Sequence, residues 1–184
     1  APEDVPSLMR RHAKAVNFGI VYGISDFSLA DDIGVTRKEA KAYIESYLEK
    51  YAGVRQYMHD VVEQAKADGY VTTLMGRRRY LPELKSKNFN LRSFGERCAM
   101  NTPIQGTAAD IIKLAMIRVD AALAKQYPHA RLVLQVHDEL IVECPLDQAD
   151  DVKQLVEREM EQVMELRVPL LAEAKSGASW YEAK

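Results

Sequence analysis

The sequence centres on Arg131-Leu-Val-Leu-Gln-Val-His-Asp-Glu-Leu-Ile-Val-Glu-Cys144, where two alternating apolar runs meet at His137-Asp138. Alternation with a period of two is typical of half-buried strands, so the stretch predicts a β-hairpin with one face on a core. The residues predicted to share that face are Leu132, Leu134, Val136, Leu140, Val142 and Cys144.

The tip of this hairpin carries an imidazole and two carboxylates, from His137, Asp138 and Glu139. A two-residue turn normally favours Asn-Gly or Asp-Gly, so His-Asp is an unfavourable sequence for the apex. Residues that break a local preference in this way indicate a functional site. Adjacent carboxylates on a rigid turn suit a hard divalent cation such as Mg²⁺. A pair of ions about 3.5–4 Å apart would need a further carboxylate from elsewhere. The alternative is that His137 and Asp138 end an ordinary solvent-exposed loop.

The composition is that of an ordinary globular protein, since 47% of the 184 residues are hydrophobic and 28% are charged. The formal net charge of −2 gives no global nucleic-acid signature, so binding to a polyanion would depend on local basic clusters. Such clusters lie at residues 10–14, 77–79 and 85–97.

The cysteines and the N-terminus indicate the setting of the protein. Cys98 and Cys144 lie far apart and lack metal-ligand spacing, which indicates reduced thiols in a cytoplasmic protein. No apolar run approaches about 20 residues and the N-terminus lacks a signal pattern, so neither a membrane span nor export is supported. The start at Ala1, without Met, favours a truncated or processed piece of a longer protein.

Residues 6–23 follow a helical pattern with an apolar stripe formed by Met9, Ala13, Val16 and Ile20. Steps of four place a different set together on another face of this helix, namely Arg10, Lys14, Phe18 and Tyr22. Arginine and lysine bind phosphate, and aromatic rings stack on a base or sugar. The second face therefore predicts a nucleoside triphosphate site. The alternative is a solvated basic face whose two rings pack on a neighbour.

Residues 25–51 predict two short helices joined at Gly34, the second of them capped by Thr36 with Glu39. This pair also resembles a helix-turn-helix DNA reader, so a DNA-binding module centred on residues 28–51 is a rival hypothesis. Its weakness is the wide apolar face of the second helix, which leaves for DNA only Arg37, Lys38 and Lys41. A further helix is predicted over residues 54–68.

Residues 70–82 predict a small hairpin broken at Gly76. Its return arm begins with three arginines that are candidate phosphate contacts, Arg77, Arg78 and Arg79. The alternative is an ordinary solvated basic turn.

Residues 92–101 predict a helix that Pro103 interrupts, and a long helix then opens at Gly106. Steps of four align a row of polar side chains that leads towards the acidic hairpin, namely Arg97, Asn101 and Gln105. In the alternative interpretation, Asn101 and Gln105 cap the kink at the proline. After the acidic hairpin, the pattern predicts an amphipathic helix over residues 146–166 and a closing strand over residues 168–175, with a packing role only.

Four stretches, in the right order along the chain, resemble the family A DNA polymerases. The stretch Arg10-Arg-His-Ala-Lys-Ala-Val-Asn-Phe-Gly-Ile-Val-Tyr-Gly23 is similar to the fingers helix that closes over the incoming nucleotide, and Val136-His-Asp-Glu139 is similar to the palm motif. Further matches are Thr73-Leu-Met-Gly-Arg-Arg-Arg-Tyr-Leu-Pro82 and Asn101-Thr-Pro-Ile-Gln-Gly-Thr-Ala-Ala-Asp110. The resemblance implies an α+β, mainly helical fold, with a helical fingers subdomain over residues 1–94 and the C-terminal part of an antiparallel-sheet palm over residues 95–184.

The same resemblance implies template-directed DNA synthesis in replication and repair. A primer 3′ oxygen would attack the α-phosphorus of a dNTP, and pyrophosphate would leave. The family's motifs assign nucleotide binding to Arg10, Lys14, Phe18 and Tyr22, with Lys14 also catalytic. They assign catalysis and Mg²⁺ binding, in a two-ion site, to Asp138 and Glu139. They assign contacts to primer–template DNA to His137, Arg97 and Gln105, with Asn101 supporting them. The predicted DNA-binding set also includes the three candidate phosphate contacts of the small hairpin, Arg77, Arg78 and Arg79.

The chain departs from the family at its start. The palm strand of Asp-Tyr-Ser type, which supplies the second metal-binding aspartate, should precede Arg10 and is not in this sequence, and neither is the thumb. We therefore expect a fingers and partial palm segment that is inactive alone and works with the rest of its own polymerase chain, in the bacterial cytoplasm at the nucleoid.

Two alternatives to the DNA polymerase remain beside the helix-turn-helix module. One is a segment of a single-subunit RNA polymerase, which has a similar fingers helix and hairpin, although Asn17-Phe18-Gly19 fits the DNA enzyme better. The other is an unrelated metal-dependent enzyme built on the acidic hairpin.

Overall fold

A computed structural model of the chain describes residues 5–183. The described residues are 63% helical with two small antiparallel sheets, which confirms the predicted mainly helical α+β class. The helices are α1 (Ser7–Val21), α2 (Asp26–Ile33), α3 (Arg37–Lys50), α4 (Ala52–Asp68), α5 (Phe89–Gln126) and α6 (Ala149–Glu161). The strands are β1 (Tyr70–Thr72), β2 (Arg78–Tyr80), β3 (Arg131–Val136) and β4 (Glu139–Glu143). Within the described residues, no helix combines the length and the apolar character that a membrane crossing requires.

The chain forms two compact units that divide between Gly106 and Thr107. The first unit holds α1 to α4 and the β1–β2 sheet, and the second holds the β3–β4 sheet and α6, while α5 contributes residues to both. The predicted division into fingers (residues 1–94) and palm (residues 95–184) concerns subdomains of a polymerase and stays a prediction.

The first three helices pack around a small core of Leu29, Ile33 and Ala40. Ser25 caps α2 by accepting a hydrogen bond from the Ser28 amide, and Gly34 ends α2 in the left-handed conformation at φ 69°. Thr36 and Glu39 form the predicted capping box at the start of α3. These local signals confirm the prediction of two short helices joined at Gly34, because each one satisfies backbone groups that a helix end leaves unpaired.

A second core joins α4, the β1–β2 hairpin and the N-terminal half of α5. Its buried residues are Val62, Ala65, Val71, Leu81, Leu84 and Ala99. The predicted hairpin over residues 70–82 is confirmed, with Tyr70 opposite Tyr80 and Thr72 opposite Arg78. Gly69 ends α4 at φ 80°, a conformation that costs glycine little.

The predicted break at Pro103 is wrong, because α5 runs without interruption from Phe89 to Gln126 with this proline inside it. A proline inside a helix removes one backbone hydrogen bond and costs about 3 kcal/mol. Tertiary packing on both sides of the proline outweighs that cost, since Ala99 and Ala115 are both almost fully buried. The packing of α5 therefore outweighs the helix-breaking tendency of Pro103, and the sequence pattern does not reveal that packing.

The acidic hairpin is confirmed as β3–β4, but its predicted inward face is partly wrong. Leu132 pairs with Val142 and Leu134 pairs with Ile141, so Val133 is an extra residue in β3. Such a bulge shifts the alternation by one residue and turns Leu134 to the opposite face, where it is 47% exposed.

The core of the second unit is formed by α5, α6 and one face of the hairpin. Its buried residues are Val119, Leu123, Ala130, Val152, Leu155 and Val156, with Leu132, Leu140, Val142 and Cys144 packed against them. The predicted helix over residues 146–166 begins as a 3-10 turn at Leu146–Gln148 and continues as α6.

The predicted closing strand over residues 168–175 is wrong. This segment has no strand pairing, and its amides bond instead to carboxylates on α6. The Ala172 amide donates to Glu161 Oε1 at 3.1 Å, and the Ala174 amide donates to Glu157 Oε1 at 2.7 Å. Because Glu157 and Glu161 lie one helical turn apart, they satisfy alternate amides that a neighbouring strand would otherwise bind.

Candidate nucleotide and nucleic-acid site

The predicted nucleotide-binding side chains of α1 share one exposed face, formed by Arg10, Lys14, Phe18 and Tyr22. The Lys14 ammonium lies 5.8 Å from the centre of the Phe18 ring. The Phe18 and Tyr22 rings have centroids 6.4 Å apart and planes inclined by 28°. The face therefore offers cations at one end and two roughly parallel rings at the other, the arrangement that phosphates and a nucleoside require.

The opposite side of α1 is fixed by packing and by one hydrogen bond. Ile20 is 2% exposed, and a Cβ added at Gly19 would lie 3.1 Å from Ile24. The Tyr47 hydroxyl on α3 donates to Asn17 Oδ1 at 2.7 Å. Asn17 lies between the apolar stripe and the exposed face of α1, so this bond fixes the rotation of the helix about its axis. Sequence reasoning missed the pair, because nothing in the pattern links two polar residues 30 positions apart.

The end of α1 meets α5 at the residues of the predicted DNA-binding row. Asn101 Nδ2 lies 3.5 Å from the Tyr22 carbonyl, a long hydrogen bond. Gly23 adopts φ 74°, and a Cβ there would lie 2.5 Å from the Met100 methyl group and 3.4 Å from Arg97 Cγ. The structure thus brings the predicted nucleotide-binding face and the predicted DNA-binding row on α5 into contact within the first unit.

The members of that row differ in their surroundings. Arg97 and Gln105 are exposed, and Arg97 donates to Ser93 Oγ at 3.0 Å. Asn101 is partly buried, and its Oδ1 atom has no hydrogen-bond partner among the described residues. Because a buried acceptor without a donor costs free energy, this oxygen is an unfavourable feature of the folded chain.

The side chains of Arg78 and Arg79 lie on opposite faces of the β1–β2 hairpin. Arg79 donates to Thr102 Oγ1 at 3.2 Å and to Cys98 Sγ at 3.4 Å, so its guanidinium lies against α5. The Arg78 guanidinium carbon lies 4.7 Å from the centre of the Tyr70 ring on the other face of the sheet. The backbone amide of Arg77 closes the turn by donating to Thr73 Oγ1.

The acidic tip of the β3–β4 hairpin is exposed, and its backbone is strained. His137 has φ 54°, a conformation rare for residues with a side chain and costing about 1–3 kcal/mol. The Gln135 side-chain amide donates to the His137 carbonyl and thereby holds the turn. A strained turn that carries Asp138 and Glu139 agrees with a functional tip, since a hairpin chosen for stability would place glycine there. Sequence reasoning assigned no role to Gln135.

Asp138 and Glu139 fit a divalent cation as partial ligands. Carboxylate oxygens are the donors that Mg²⁺ prefers, and Mg²⁺ takes few of them from any one protein. Among residues 5–183, no group of three or more His, Cys, Asp or Glu side chains is arranged to hold a metal ion.

Comparison with known proteins identifies the family. The model of the family described as DNA polymerase family A matches residues 1–182. The chain belongs to the family A DNA polymerases. DNA polymerase I of Bacillus subtilis (strain 168) is 60% identical over 184 residues, which is 100% of this chain and 21% of that protein. DNA polymerase I of Geobacillus stearothermophilus is 58% identical over 182 residues, or 99% of this chain and 21% of that protein.

A solved structure shows the same fold. The POL domain of Pol1 from M. smegmatis, in complex with DNA primer-template and dNTP, matches with a TM-score of 0.93 and 45% identity. The match covers 98% of this chain and 32% of that one. The chain thus spans about a fifth of the length of the DNA polymerases I and a third of that solved domain.

Membership of this family bears on the rival hypotheses. The helix pair α2–α3 does have a turn at Gly34, but two of the three basic side chains left for DNA, those of Arg37 and Lys41, pair with acids. Arg37 bonds to Asp26 at 2.7 Å and Lys41 lies 3.7 Å from Glu45. The Arg37 guanidinium beside Asp26 holds the pKa of that carboxyl below its usual value. These pairs, together with the family, argue against a helix-turn-helix reader, and the matched relatives are DNA polymerases rather than RNA polymerases.

Proposed function

We propose that this chain is the fingers and partial palm segment of a DNA-directed DNA polymerase that adds dNTPs to a primer 3′ end on a template. The observation that carries the proposal is the exposed face of α1, where Lys14 lies 5.8 Å from the Phe18 ring in a chain of family A. Arg10 and Lys14 bind the triphosphate, Phe18 packs on the sugar, and Tyr22 closes against the templating base.

The chemistry of the step is phosphoryl transfer, in which positioning and neutralisation of charge supply most of the catalysis. Lys14 is a catalytic residue, because its ammonium stabilises the charge that develops on the phosphates as pyrophosphate leaves. Asp138 and Glu139 would hold Mg²⁺, and a further aspartate from elsewhere in the polymerase would complete a two-ion site. When bound, the ions would neutralise phosphate charge and lower the pKa of the primer hydroxyl.

Primer–template DNA contacts the second set of side chains. Arg97, Asn101 and Gln105 bind the duplex next to Tyr22. His137 contacts the primer terminus from the hairpin tip. Arg77, Arg78 and Arg79 contribute positive charge on the β1–β2 hairpin, with Arg79 acting from its position against α5.

The remaining parts of the reaction are supplied by the rest of the same polymerase chain. The matched DNA polymerases I are about five times as long as this segment. The segment works in replication and repair at the nucleoid, in the bacterial cytoplasm, and by itself does not extend a primer.

The nucleotide site is tested by titrating the chain with a dNTP in the presence of Mg²⁺ and measuring binding by calorimetry. Lys14→Ala is expected to weaken binding by about 5- to 30-fold, because a charge-assisted hydrogen bond contributes roughly 1–2 kcal/mol. Lys41→Ala is the matched control, an exposed lysine on α3 that pairs with Glu45 and is expected to bind the dNTP as the parent chain does.

Equal binding by the Lys14→Ala variant and the parent chain would contradict the assignment of the α1 face. Loss of sequence-specific duplex binding in the Lys41→Ala variant would instead favour the helix-turn-helix module.

A further inference from the structure

The β1–β2 hairpin has two faces of opposite character. Val71 pairs with Arg79, and both belong to the face that packs inward, where Val71 is 5% exposed and Arg79 bonds to α5. Because side chains alternate along a strand, the outer face carries Tyr70, Thr72, Arg78 and Tyr80. The hydrophobic core and α5 cover the inner face. The polymerase roles proposed above use only the positive charge of the outer face.

The outer face presents one aromatic ring to solvent. The Arg78 guanidinium lies over the Tyr70 ring at 4.7 Å, and Tyr70 meets Tyr80 edge to face at a centroid distance of 5.7 Å and 61°. Tyr70 is therefore held between its neighbours, whereas Tyr80 is 67% exposed. The hairpin thus fixes the Tyr80 ring in place without covering it.

The charge around this ring is positive. The segment from Tyr70 to Pro82 contains three arginines and no acidic residue, although the whole chain has a formal net charge of −2. A fixed aromatic ring beside arginines is the combination by which proteins hold unpaired nucleic-acid bases, with the ring stacking on a base and the cations on its phosphates. Duplex DNA keeps its bases stacked inside the helix, so the ring selects a single strand.

We propose that the outer face of the β1–β2 hairpin, formed by Tyr70, Arg78 and Tyr80, binds single-stranded DNA by stacking one base on Tyr80. The strand is the unpaired part of the template, an identification that rests on the proposed function. The binding of a single strand does not require the nucleotide site on α1, so the two proposals can fail separately.

The proposal is tested by the fluorescence anisotropy of a labelled short oligo(dT), with a blunt duplex of equal phosphate number measured in parallel. Tyr80→Ala is expected to weaken oligo(dT) binding by roughly 5- to 150-fold and to leave duplex binding unchanged, because only the base stack is lost. Tyr80→Phe keeps the ring and is expected to bind as the parent chain does. Tyr181→Ala is the matched control, since Tyr181 is 89% exposed and belongs to the second unit.

Three outcomes would overturn the proposal. They are failure of the parent chain to bind oligo(dT), equal binding by the Tyr80→Ala variant, and equal weakening of single-strand and duplex binding. The last outcome would indicate a charge or folding effect without stacking.

A second measurement needs no variant. An oligonucleotide that carries 5-iododeoxyuridine forms a photo-crosslink with an aromatic ring on which the base stacks. The crosslink is expected in the tryptic peptide of residues 80–85. A crosslink confined to other peptides would place the single strand elsewhere and contradict the assignment.

Discussion

The Tyr57 side chain connects α4 to the row of residues proposed to bind DNA. Its hydroxyl donates to the Met100 carbonyl at 3.2 Å, next to Asn101 in the chain. Burial raises the pKa of Tyr57 above its ordinary value. The neutral phenol is therefore favoured in the folded chain, where it can donate this hydrogen bond.

This bond gives a prediction about stability and pH. Tyr57→Phe is expected to lower the free energy of unfolding by about 0.5–1 kcal/mol near neutral pH, because one partly exposed hydrogen bond is lost. The pKa of Tyr57 is raised by folding, so the unfolded parent chain releases this proton first as the pH rises past about 10. The parent chain then loses the stability that Tyr57 contributes. The difference in the free energy of unfolding between the parent chain and the Tyr57→Phe variant therefore narrows as the pH rises.

Urea denaturation of both proteins at about pH 8 and about pH 10.5 measures this difference. The other tyrosines are common to the parent and the variant, so their titration cancels in the comparison. A difference that stays constant or widens at the higher pH would show that burial does not raise the pKa of Tyr57.

Among the elements, the short helices were predictable and their tertiary setting was not. The boundary at Gly34 and the box of Thr36 with Glu39 are local signals, readable because the bonds they make span three or four residues. The continuity of α5 through Pro103 depends on burial of residues such as Ala115, which no local signal conveys. The Val133 bulge was missed for a similar reason, since a strand pattern assumes unbroken register.

The contact between the β1–β2 hairpin and α5 gives the prediction at this scale. A Cβ added at Gly106 would lie 2.6 Å from Thr73 Cγ2. The Thr73 rotamer is fixed because its hydroxyl accepts from the Arg77 amide at 3.2 Å. Gly106→Ala is therefore expected to destabilise the chain by about 1–3 kcal/mol, although alanine is the better helix former.

A second substitution tests whether the contact between the added Cβ and the Thr73 methyl group causes the loss of stability. Thr73→Ser removes the offending methyl group and keeps the hydroxyl, so Gly106→Ala is expected to cost much less in that background. Gly53→Ala is the control in α4, where an added Cβ meets nothing within 4 Å, and a gain of up to about 1 kcal/mol is expected. Thermal unfolding of the parent chain, the three single variants and the double variant measures these changes. A stabilising effect of Gly106→Ala alone would contradict the close approach.

At the scale of the whole molecule, the family and most residues of the candidate site were predictable from the sequence. The α1 face was predictable, because Arg10, Lys14, Phe18 and Tyr22 repeat with the helical period on one element. The contact of Tyr22 with Asn101 joins residues 79 positions apart and was visible only in the fold. The positive φ of His137 likewise depends on the turn that the two strands impose.

The central claim is that the chain serves as a working part of a family A polymerase. The most direct measurement exchanges the matching segment of Bacillus subtilis DNA polymerase I, 60% identical, for this chain and follows template-directed primer extension. The account predicts extension by the chimera, loss of extension in its Asp138→Ala variant, near-normal extension in the matched Glu143→Ala variant, and none by the isolated chain. A folded chimera that does not extend a primer, or one whose Asp138→Ala variant extends normally, would contradict the claim.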